Sequence, residues 1–66
     1  METWPAGQIG QSNGAYSGRR IRFTFDHELV DGTLDRSDRS VQTSRTILMV
    51  NGNMYWVEND TPVEVH

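Results

Sequence analysis

The chain has 66 residues, six arginines and no lysine against nine acidic residues, a net charge of −3, and no cysteine. That length allows one small domain with a thin core, and without cysteine neither disulfides nor thiolate metal sites are available to staple it. The acidic balance lacks the general attraction to phosphate of a typical nucleic-acid binder, and no apolar run exceeds four residues, far short of a membrane-spanning helix.

Residues 1–18, METWPAGQIGQSNGAYSG, hold four of the six glycines and a Trp-Pro pair. So polar and glycine-rich a stretch offers little apolar surface to offset the entropy of ordering it. It reads as a flexible N-terminal arm, with Trp4, Ile9 and Tyr16 as local docking points. Its glycines do not form a phosphate-binding loop, because the Lys-Ser/Thr ending and the strand–helix frame are missing. No basic region leads into a hydrophobic segment, so the expected location is intracellular, in the cytoplasm.

Residues 19–66 read as a single small β domain. In RRIRFTF, Ile21, Phe23 and Phe25 alternate with Arg20, Arg22 and Thr24, the period-two pattern of a half-buried strand. ELVDGTL follows at once, too soon for a parallel crossover, so the two segments form an antiparallel hairpin. A turn at His27-Glu28 sets Phe25 opposite Val30 and Phe23 opposite Gly32. A turn at Asp26-His27 keeps the same faces and slides the pairing by two residues.

The tandem triplet Asp-Arg-Ser, Asp-Arg-Ser at 35–40 is charge-neutral and rich in turn formers. It reads as the polar loop between two hairpins. In SRTILMVNGNMYWVEN, residues 44–59, Asn51-Gly52 is the preferred type I′ dipeptide. A two-residue turn there pairs Met49 with Met54, Ile47 with Trp56 and Arg45 with Glu58 on one face. On the other face Leu48 meets Tyr55 and Thr46 meets Val57. The opposition of Arg45 and Glu58 supports this register independently of the turn. PVEVH, residues 62–66, reads as a short proline-led edge strand.

These elements add up to an all-β fold, a small antiparallel five-stranded barrel or strongly bent sheet. IRFTF, a turn, and then LVDGTLDRSD resemble the opening of Sm-like and SH3-like small barrels, in which a bent second strand carries a glycine. The likeness spans residues 21–38 and implies architecture only, since the rest of the chain lacks an Sm RNA-binding signature.

For function, His27 in a tight turn and His66 at the chain end give no catalytic base beside a nucleophile. Asp31, Asp35 and Asp38 do not match the spacing of a calcium loop. No catalytic residue, metal site or cofactor is therefore expected. Both faces of the second hairpin are apolar, and Phe23, Phe25 and Trp56 read as core. Leu48, Val50, Tyr55 and Val57 then form a surplus face for a protein partner or for self-association. An edge strand offers a second route to the same end. The alternative is a single-stranded nucleic-acid-binding barrel in which Arg19, Arg20 and Arg22 work with aromatic platforms; the same arginines would equally suit an acidic partner.

Overall fold

The computed structural model, which describes residues 2–40 and 42–66, contains β1 (Glu2–Pro5), α1 (Ala6–Gly10), β2 (Arg20–Phe25), β3 (Glu28–Arg39), β4 (Arg45–Val50), β5 (Asn53–Glu58) and β6 (Pro62–Val65). The strands make one antiparallel sheet in the order β1-β6-β2-β3-β4-β5. It is strongly bent and unclosed, with β1 and β5 as its two edges. No helix among the described residues is long and apolar enough to cross a membrane.

Local turn chemistry fixes both hairpins. Asn51 and Gly52 have φ of 52° and 82°, the left-handed pair that a type I′ turn requires. The β4–β5 register is the expected one, from Arg45↔Glu58 to Val50↔Asn53. The first hairpin turns at Asp26-His27, both with positive φ. Phe23 therefore lies opposite Val30, and Ile21 opposite Gly32.

Strand β3 is the corner of the molecule. Its first half pairs with β2, and from Leu34 onward it pairs with β4 across a bulge between Leu34 and Arg36. Gly32 permits the fold-over, because a Cβ there would lie 2.8 Å from Val50 Cγ1 and strike the Asn51 amide. Beside the bulge, Asp35 Oδ2 accepts a hydrogen bond from the Gly52 N–H at 3.2 Å. The loop expected at Asp35–Ser40 is thus corrected, because Arg36 to Arg39 continue the strand against Met49 to Thr46.

The flexible arm is corrected too. Residues 2–5 add a sixth strand on β6, and Ala6 and Ile9 are fully buried. Ala6 and Gly7 donate to the Thr61 and Asn59 carbonyls, both at 2.9 Å. The Cα radius of gyration, 10.2 Å, is close to the ~11 Å of a compact chain of this length. A few well-placed apolar groups suffice here, because Ile9 drops into a core that the sheet leaves open. That core comprises Ala6, Ile9, Ile21, Phe23, Leu34, Leu48, Val50, Val57, Val63 and Val65, with Trp4 and Tyr16 packed against it.

Candidate interaction surface

The β4–β5 hairpin has one face in and one face out, and they are the reverse of the sequence-based assignment. Leu48, Val50 and Val57 are buried at 0%, 1% and 5% exposure. Tyr55 is half-buried, its ring edge-on to Phe23 at 5.6 Å and to Phe25 at 5.2 Å. Leu48, Val50 and Val57 line the interior and offer no surface to a partner, and Tyr55 turns its ring toward the same interior. Phe23 belongs to the core as expected, but Trp56 does not, being 44% exposed.

The outward face carries Ile47 and Met49 from β4, both partly buried, and Met54 and Trp56 from β5, both exposed. Paired across the ladder, they form two apolar rows, Met49–Met54 and Ile47–Trp56. Arg45 and Glu58, joined at 3.5 Å, bound the far end, and Arg36 and Asp38 flank the β3 side. A shallow depression of about 180 Å³ lies between Arg36, Asp38, Ile47, Met49 and Met54. Sequence reasoning missed this face, although the signal was present. Arg45 and Glu58 sit on it while the opposite face carries no charge, and burying two charges costs far more than exposing two methionines.

Each arginine of the cluster makes a contact within the chain. Arg20 grips Asp31 through Nε at 3.0 Å and Nη2 at 3.2 Å. Arg22 reaches the same carboxylate at 3.2 Å and Glu64 at 4.0 Å. Arg19 Nε donates to the His66 carbonyl at 2.9 Å. The hydrogen bond from Arg20 is the main reason the Asp31 carboxyl lies below its ordinary value, and the same pairing raises Arg20. Arg20 and Arg22 are thus matched by carboxylates, whereas Arg19 meets a backbone oxygen.

A polar cleft of about 330 Å³ opens between α1 and the β3–β4 connection, lined by Gly10, Gln11, Arg39, Ser40, Ser44 and Asn59. Asn59 and Thr46 Oγ1 share a 2.7 Å hydrogen bond. In the amide orientation that suits all its neighbours, Asn59 Nδ2 donates to Thr46 Oγ1 and the Asn59 oxygen accepts from Arg39 Nε at 3.3 Å. Arg39 and Asn59 thus tie the ends of β3, β4 and β5 together. No protein-family model matches the chain, and no curated protein or solved structure matches it significantly.

Proposed function

We propose that the protein is a non-enzymatic interaction module that engages another protein chain through the outer face of the β4–β5 hairpin. One observation carries this reading: Ile47, Met49, Met54 and Trp56 lie side by side in two rows on a solvent-facing edge hairpin. Grouped apolar surface on a small domain marks a contact site, and methionine and tryptophan suit it because they adapt to and fill a partner's pockets. The non-enzymatic part is supported by the histidines, both exposed, one in a turn and the other at residue 66. The long strand that bends at Gly32 supports assigning the sheet to SH3-like or Sm-like architecture. A cysteine-free domain suits the cytoplasm.

Met54→Glu and Trp56→Glu place a charge in the middle of this face, where neither side chain supports the core. The expected outcome is loss of association with any protein partner, second copies included, with the fold retained and stability lowered by about 1 kcal/mol, the scale of the cross-strand pair each variant removes. Binding curves for the two variants that overlay the wild type would overturn the reading. Added salt leaves apolar association intact, whereas binding through phosphate contacts weakens steeply with salt.

A further inference from the structure

We propose that the occupant of this face is a second copy of the chain, joined by antiparallel pairing of β5 with β5 about a two-fold axis through Tyr55. The inference rests on the proposed function and specifies its partner. In a two-residue hairpin the turn-flanking pair is doubly hydrogen-bonded and the bonding alternates from there. Asn53, Tyr55 and Val57 therefore direct their backbone groups at β4, while Met54 and Trp56 direct theirs at the open edge. Among the described residues no turn or loop takes up these groups. Met54 and Trp56, whose backbone groups face the open edge, are also the two apolar residues of β5 with exposed side chains.

Natural edges are blunted by short length, proline, charge or a bulge. The β1 edge is four residues long and ends in Pro5. Strand β5 runs six residues without proline or bulge, and its one charge, Glu58, is at its end. A two-fold axis at Tyr55 sets Met54 across from Trp56 of the second copy, and Trp56 across from Met54. The eight backbone groups of Met54 and Trp56 in the two copies are then satisfied in four hydrogen bonds. On the outer face each row continues across the junction, Met49–Met54 meeting Trp56–Ile47, so the two apolar patches fuse into one. Antiparallel pairing also keeps the two Glu58 carboxylates about 20 Å apart, beyond the Debye length of about 8 Å. Parallel pairing would bring them together. A single-strand seam is smaller than a standard interface of about 800 Å² per partner, so the dimer forms reversibly and depends on concentration.

The test is analytical ultracentrifugation of the full chain from about 1 µM to 1 mM, paired with disulfide trapping in the cysteine-free background. Residue 55 is a non-hydrogen-bonded pair on the axis, with a Cα separation of about 4.5 Å, within disulfide reach. Tyr55→Cys should cross-link to a covalent dimer, whereas Asn53→Cys, which lies opposite Val57, should not. A chain synthesised with N-methylated Met54 should lose the dimer while keeping the hairpin, checked by its NMR spectrum. Should Tyr55→Cys loosen the core, isotope-filtered contacts between the Met54 methyl and the Trp56 indole of differently labelled copies read the same register. A monomer at every concentration overturns the second copy as occupant. The interaction reading would then stand on a foreign partner blocked by Met54→Glu. A dimer that survives N-methylation but not Met54→Glu overturns strand pairing alone. Open-ended polymers overturn the two-fold.

Discussion

Asp31 is the acceptor on which two arginines of β2 converge, and its position sets how their charge is matched within the sheet. Arg20 and Asp31 are diagonal cross-strand neighbours, two residues out of register, and Arg22 lies directly opposite Asp31. Because Asp31 is more acidic in the folded chain than in the unfolded one, its contribution is complete above the ordinary carboxylate range. It is lost as the pH falls through the lowered folded value. Asp31→Asn should therefore lower the melting temperature at neutral pH, and its difference from wild type should shrink as the pH falls through the lowered folded value of Asp31. Thermal melts of both proteins across the acid range measure this; a difference independent of pH would show that the carboxylate's charge contributes nothing. The alternation of Arg20 and Arg22 with Ile21 and Phe23 predicts which side of β2 they occupy. Their common acceptor follows only from the register, which the two candidate turns left open by two residues.

At the scale of elements, α1 is the piece the sequence conceals. Five residues, AGQIG, have no helical period to detect and two poor helix formers. The helix exists because Ile9 needs a buried seat and because Gly10 lets the backbone touch β3 and β4. A Cβ at residue 10 would lie 2.8 Å from Thr46 Cγ2 and 2.9 Å from the Arg39 backbone nitrogen, which has no room to yield. Gly10→Ala should accordingly destabilise the fold by about 1–3 kcal/mol through overpacking. Gln8→Ala, on the exposed side of the same helix, should stay within about 0.5 kcal/mol. Denaturant melts of the pair decide it, and equal stabilities would mean that the helix does not press on the sheet. The same contact explains why the Asp-Arg-Ser repeat does not read as a strand. Its inward positions are Ser37 and Arg39 rather than apolar residues, because the helix end lies over them and Ser37 Oγ donates to the Ile9 carbonyl at 3.3 Å. Strand alternation is visible only where the covering layer is apolar. The β4–β5 hairpin was legible because Asn-Gly and the Arg45–Glu58 match are local signals. The side facing the core is decided by what packs on it, and the charges on the other face were the available clue.

At the scale of the molecule, the question is whether a sheet with two open edges behaves as one unit. Strand β3 belongs to both halves, pairing with β2 and then with β4. Helix α1 closes the circuit the sheet leaves open, since the segment following β1 is bonded to the β5–β6 connection through the Ala6 and Gly7 amides. Both edges are thereby tied to one core. The two tryptophans report on the two edges separately, Trp4 on β1 and Trp56 on β5. In Trp4→Phe and Trp56→Phe, each chain keeps one fluorophore at one edge. The expected outcome in dilute solution is that, within each variant, fluorescence and far-ultraviolet circular dichroism give the same unfolding midpoint, as an all-or-none transition requires. If Trp4 fluorescence changed at lower denaturant than the circular dichroism, β1 and α1 would open as a separate unit while the rest of the sheet persisted. Ile9 would then leave a hole in the core that β2 to β6 had to tolerate. With Ile9 fully buried among strands of both halves, such a partly open state exposes core residues from each of them, and the coincident transition is the one the packing demands.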